Sequence, residues 1–204
     1  MGNETLVAFD QIAPLADNHH PLYGALPIMF CGTTVPNGDA SPWLECAVGS
    51  LYAYQGAGIS MLYQKVKKNS THGGRDDDWT PLSGSIRQRI LFSDFTDGGA
   101  TVGTKTLAAQ IPAGAFVQQV ILLDVTGFTG NTSAVITLGD GTDVDRYNTG
   151  TPSVFTTAVA IDVGVPSGTK VHVAAATVTV TVTTASDFTS VSAGAMTVCI
   201  HFLM

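Results

Sequence analysis

The stretch Thr177-Val178-Thr179-Val180-Thr181-Val182-Thr183 alternates valine with threonine at a period of two. Successive side chains of a strand point to opposite faces, so this run has one aliphatic and one hydroxylated face. The first is expected in a core, the second in water or against its own kind. The same reading applies to 196–204, where Met196, Val198, Ile200, Phe202 and Met204 share one face and Thr197, Cys199, His201 and Leu203 the other. Residues 117–125 depart from it: Val120 and Leu122 oppose Val117, Ile121, Leu123 and Val125, which leaves both faces apolar. A strand covered on both sides is central in its sheet or faces a neighbouring subunit.

Outward from these runs, turn signals recur about every ten residues, the rhythm of a β-sandwich or jelly roll. They include Pro112-Ala113-Gly114, Gly139-Asp140-Gly141, Pro166-Ser167-Gly168 and Ala193-Gly194. Strands are expected over 101–110, 116–126, 133–138, 145–148, 154–163, 170–175, 177–184 and 196–203. Residues 92–204 therefore read as an antiparallel, jelly-roll-like sandwich domain, and the fold class as all-β.

The preceding half is organised differently. In 1–46, prolines at 14, 21, 27, 36 and 42 remove backbone donors and bar their predecessors from helical conformation, so the segment is expected to run as an extended arm. Its apolar side chains, Leu26, Ile28, Met29, Phe30, Trp43 and Leu44, call for a surface on which to dock. Residues 47–84 read as a small β module. A hairpin runs from 49–54 through a Gly-rich turn at 55–58 to 60–66, and Trp79-Thr80-Pro81-Leu82 forms a third short strand after a polar loop. About 35 residues give little core, so the arm or other copies of the chain should supply the rest. Residues 85–91 read as a connector, with one helical turn through Ile86-Arg87-Gln88-Arg89.

Composition narrows the function classes. Of 204 residues only 12% are charged, about half the usual ~25%, and Thr, Ser, Gly and Ala take their place. β-branched side chains suit pleated, half-buried surfaces. With nine Lys and Arg against sixteen acids the net charge is −7, too little cation to displace counterions from a phosphate backbone, so no nucleic-acid partner is expected. No apolar run approaches the ~20 residues of a membrane-spanning helix, and the first residues lack a signal-peptide layout. A soluble, cytoplasmically made chain without membrane partners is the expectation. Cys31, Cys46 and Cys199 form no CxxC pair and are expected as buried free thiols. The sequons at Asn3, Asn69 and Asn131 read as chance matches in a Thr-rich chain.

Chemistry finds little purchase. Asp140-Gly141-Thr142-Asp143-Val144-Asp145 clusters carboxylates of the kind hard cations bind, but it misses the spacing of a calcium loop, and Asp-Gly is turn chemistry. Asp76-Asp77-Asp78, His19-His20 and His72 read as solvated loop residues. No nucleophile elbow, phosphate-binding loop or dinucleotide fingerprint occurs, and glutamate is confined to Glu4 and Glu45. No enzyme activity, cofactor or metal is expected. Lys65, Lys67, Lys68, Arg87 and Arg89 gather over half of the cations into one quarter of the chain, which suits either a contact with an acidic surface or a plain solvated hairpin end.

Gly49-Ser50-Leu51-Tyr52, Tyr63-Gln64-Lys65-Val66 and Asp76-Asp77-Asp78-Trp79-Thr80-Pro81-Leu82 resemble a small module of tailed-bacteriophage virion proteins, found in head fibres, decoration proteins and tail fibres. The lead-in Gly38-Asp39-Ala40-Ser41-Pro42 is similar too. Leu107 to Ala115 with its Pro-Ala-Gly, and Val135 to Tyr147 with Gly-Asp-Gly-Thr-Asp-x-Asp-Arg, resemble a β-sandwich of phage head and tail accessory proteins. The matches cover 38–82 and 101–147. They imply a capsid decoration or cement protein on the outer surface of the virion, with itself as a homotrimer and the major capsid protein as partners. On that reading Leu26, Ile28, Phe30, Trp43, Lys65, Lys67 and Arg87 make the contacts. The alternative is a tail or fibre component that stacks Trp79, Phe128 or Tyr147 on a host glycan.

Overall fold

A computed structural model describes residues 29–33, 35–36, 48–66, 79–164 and 171–204. The chain is nearly all β. A mixed seven-stranded sheet has the order β1-β2-β3-β4-β11-β7-β9, and a four-stranded sheet the order β5-β6-β10-β8. The chain divides into two compact units, Met1–Gly56 with Ser60–Ser83, and Ala57–Ile59 with Gly84–Met204.

In the first unit, β1 (Met29–Gly32) pairs in parallel with β2 (Leu51–Gly56), Phe30 opposite Tyr52. The β2–β3 hairpin turns through Ala57-Gly58, both at positive φ (51° and 77°), as a two-residue turn matched to strand twist requires. Its base is closed by Gly49 N–H to Lys65 O and Lys65 N–H to Ser50 O, both 2.8 Å. In β3 (Ile59–Lys65) Met61, Tyr63 and Lys65 fall on the buried face, and the rings of Tyr52 and Trp79 meet edge-on at 6.1 Å.

The connector expected at 85–91 is instead strand. β4 runs unbroken over Trp79–Leu91, and no helical turn forms at 86–89. Ile86 and Ile90 are both fully buried, while Arg87, Arg89 and Leu91 are exposed. Two isoleucines four apart satisfy a helix turn and an alternating strand equally, so local pattern left the choice to the neighbouring strands.

The second unit is a β-sandwich. Its first layer holds Gly84–Leu91 of β4 with β11 (Ala193–Leu203), β7 (Phe116–Thr129) and β9 (Ala158–Gly164). The second holds β5 (Thr96–Asp97), β6 (Val102–Thr106), β10 (Thr179–Thr184) and β8 (Ala134–Gly139). β10 behaves as its alternation demands. Val178, Val180 and Val182 are fully buried, and Thr181 lies in a cross-strand row with Thr104 and Thr137. Each buried valine contributes about 1.5–3 kcal/mol.

β7 corrects the simple alternation. Val117, Val120, Leu122 and Val125 are all at most 1% exposed, whereas Ile121 and Leu123 are intermediate. Val117 and Val125 thus join Val120 and Leu122 instead of opposing them. The register against β11 explains this: His201 pairs with Gln119 but Phe202 with Val117, and Ala195 pairs with Thr126 but Thr197 with Leu123. One extra β7 residue is inserted at each step, and Asp124 takes φ 49° at the second. Each bulge reverses the parity of the strand residues beyond it. β11 is Met196, Val198, Ile200 and Phe202 inward as expected, but Thr197 and Cys199 on its other face are also buried, at 6%.

Three further expectations are corrected. Residues 145–148 form turn, not strand, and β9 begins at Ala158 rather than 154. Val154 instead accepts from Phe128 N–H and donates to Ala134 O, both at 2.9 Å. In 171–175 only Val171 pairs, in a single bridge to Phe116. Phe95 packs on Phe128 and Phe188, and Gly103 and Gly194 leave room for the rings of Phe188 and Phe128, which a β-carbon would strike.

Candidate functional site

The sequence segment around Asp140 becomes a braced turn at the end of β8. Asp140 Oδ1 accepts from the N–H groups of Thr142 and Asp143, each at 3.0 Å, and Asp140 N–H donates to Asp143 O at 3.1 Å. This is the local side-chain-to-backbone bonding that aspartate brings to turns, as expected for this run. Its other oxygen pairs with Arg146 Nη1 at 2.9 Å. Burial pushes the Asp140 carboxyl upward. The two backbone donors and the Arg146 guanidinium outweigh it, and the net shift is below the ordinary carboxylate value.

Behind the turn, Tyr147 N–H donates to Leu138 O at 3.0 Å, and Leu138 N–H donates to Asn148 Oδ1 at 2.9 Å. The amide group of Asn148 donates to Gly150 O. Tyr147 is 1% exposed and its hydroxyl lies 3.0 Å from His172 Nε2, with ring centroids at 5.6 Å. His172, 5% exposed, is fixed by its backbone: its N–H donates to Ala115 O and its carbonyl accepts from Gly114 N–H. The Pro112-Ala113-Gly114 turn and the Asp140–Asn148 turn, far apart in sequence, are thus joined through one tyrosine–histidine bond.

Both partners are held neutral near pH 7. Burial, with a smaller contribution from Asp140, raises the Tyr147 phenol above its ordinary value. Burial and the Arg146 charge lower the His172 imidazole, and Asp140 opposes them weakly. A buried, neutral Tyr–His pair with its hydrogen bond satisfied is a cross-brace: it places no activated nucleophile in solvent. Among the described residues no three His, Cys, Asp or Glu side chains gather to hold a metal ion.

The contact residues expected from sequence are scattered by the structure. Leu26, Ile28, Trp43 and Lys67 lie outside the described residues, as do Lys68, His19, His20, His72, Asp76 to Asp78 and Cys46. Phe30 lies in β1 opposite Tyr52. Lys65 is 1% exposed, because it shares the inward face of β3 with Met61 and Tyr63. Arg87 is exposed on β4, and beside it Arg89 donates to Asp124 O at 2.8 Å. Cys199 is buried as expected and burial raises its thiol, but Cys31 is exposed. None of the three aromatics named for glycan stacking in the alternative reading lies at the surface. Trp79, Tyr147 and Phe128 are at most 2% exposed, and Phe128 belongs to β7 rather than to a loop.

His172 is the site residue that sequence reading missed. It is a lone histidine in an irregular stretch, and nothing local marks its distant tyrosine partner.

No protein-family model matches the chain, and no curated protein matches it. Among solved structures, a chain titled "Cyanophage Pam1 capsid asymmetric unit" is similar at a TM-score of 0.40 and 19% identity, over 60% of this chain and 84% of that one. A likeness this distant carries no argument about function.

Proposed function

We propose that this chain is a non-enzymatic structural protein of a tailed-phage particle, a decoration or cement protein that binds the major capsid protein on the outer surface of the head. The observation that carries the reading is the resemblance of 38–82 and 101–147 to phage virion modules. The Asp140–Tyr147–His172 brace supports it, because one of the resembling motifs is there used for rigidity. In this reading the chain acts as a homotrimer, the arm residues Leu26, Ile28, Phe30 and Trp43 grip the capsid, and the cationic residues Lys67 and Arg87 meet acidic capsid surface. Multiplicity supplies the avidity that one small interface lacks.

The test compares phage particles made with and without the chain. Particles lacking it should release their genome at lower temperature, and purified protein added back should restore the release temperature. Particles that never contain the protein, or whose release temperature is unchanged by its loss, overturn the reading. Light scattering on the isolated chain should give three times its 21.1 kDa mass or a whole multiple of that value, since three-fold association is what this reading requires.

A further inference from the structure

Strand β9 closes one end of the seven-stranded sheet: β7 lies on one side of it, and among the described residues no strand lies on the other. A sheet edge presents unpaired N–H and C=O groups that template another strand. Natural edges are usually blunted by charged side chains, proline, bulges or extreme shortness. β9 is seven residues long, Ala-Val-Ala-Ile-Asp-Val-Gly, without lysine or proline; its one charge is Asp162, its bulge falls beyond that, between Asp162 and Gly164, and Val159 stands 85% exposed in it. Its far end is already engaged: the carbonyl of Val163 accepts from Thr149 N–H at 3.4 Å. Among the described residues the run still open is 158–162, and its centre is Ala160.

We propose that β9 is a two-fold contact between copies of this chain, its strand pairing antiparallel with the β9 of a second copy about a dyad at Ala160. This register sets Val159 opposite Ile161 and Asp162 opposite Ala158, so apolar side chains meet and no carboxylate faces another. The two Asp162 groups then lie about 14 Å apart along the strands, beyond a Debye length of about 8 Å at physiological salt. A dyad one residue later would bring them near each other and would need Val163, whose carbonyl is taken. A dyad one residue earlier would shorten the paired run from five residues to three. The residue on the dyad is alanine, small enough for the close approach of facing strands. An isologous contact of this kind is independent of the three-fold association of the proposed trimer.

The experiment is oxidative cross-linking of the full chain with Cys31 and Cys46 replaced by serine. In an antiparallel pair, facing Cα atoms are about 4.5–5.5 Å apart, within disulfide reach. Ala160→Cys should form a covalent dimer on mild oxidation, whereas Ala158→Cys, about 14 Å from its copy, should not. Val159→Lys, at a position exposed enough to leave the fold intact, should slow cross-linking through residue 160 at least tenfold. Absence of the residue-160 dimer in a folded protein, equal cross-linking at 158 and 160, or indifference to Val159→Lys each overturns the proposal.

Discussion

Exchanging the chemistry of the two faces of β10 tests the reading of the fold at its root. Val180 is fully buried between Lys105 and Leu138 of the neighbouring strands, and Thr181, the next residue, sits in the threonine row with Thr104 and Thr137. Val180→Thr keeps the shape and replaces one buried methyl by a hydroxyl. Burying a hydroxyl without a partner costs about 1–3 kcal/mol in proteins. For a chain of this size each kcal/mol lowers Tm by about 2–4 °C, so a central value of about 2 kcal/mol predicts a fall of about 4–8 °C. Thr181→Val changes a half-exposed position and should stay within about 0.5 kcal/mol, or about 2 °C. Thermal unfolding followed by circular dichroism measures both. A one-residue slip in register would exchange the two faces. If Val180→Thr is neutral while Thr181→Val lowers Tm by several degrees, the strand is inverted and the two-layer sandwich is wrong.

Other perturbations address the brace and the glycine–phenylalanine contact. His172 is held neutral by burial, so its folded pKa lies below the ordinary 6.5. The unfolded chain then binds the extra proton first, and stability should be full above about pH 6.5 and fall as pH drops below it. The urea midpoint should show this fall in the native protein and a flatter profile in His172→Gln; identical profiles would refute the assignment. Tyr147→Phe leaves His172 Nε2 without its buried partner and should cost about 1–3 kcal/mol, with the cost mostly absent when His172 is already replaced. Gly103→Ala drives a β-carbon into the Phe188 ring and should cost about 1–3 kcal/mol. Adding Phe188→Leu should recover part of that loss, and strict additivity in denaturant unfolding would show that the ring is not what the glycine accommodates.

The strands that could be read from sequence are those whose local pattern has a single interpretation. In β10 the alternation of valine and threonine admits only a strand with one buried face, and the inward face of β11 is similarly marked up to Phe202. The Asp140 turn was legible too, because its bonds run between residues at most three apart. β4 was only partly legible: Ile86 and Ile90 fit two periodicities, and pairing in a sheet, which is non-local, settled the matter. The facing of β7 was misread for a related reason. A bulge leaves no mark in hydrophobicity, since it is a mismatch between two strands rather than a property of either.

By itself, then, the amino-acid sequence determined the class of the protein and the strands whose periodicity carries their burial. Low charge, abundant threonine and valine, and regularly spaced turns leave an all-β chain as the consistent solution. Only the tertiary structure decided which residues meet. It buried Lys65 with Met61 and Tyr63, drew Trp79, Phe128 and Tyr147 away from solvent, and brought His172 to Tyr147 across 25 positions of chain. It also left Val159 uncovered at a sheet edge. Periodicity reports which way a side chain points from its own backbone. The neighbours it meets there depend on strand order and register, and those arise from contacts between segments distant in sequence.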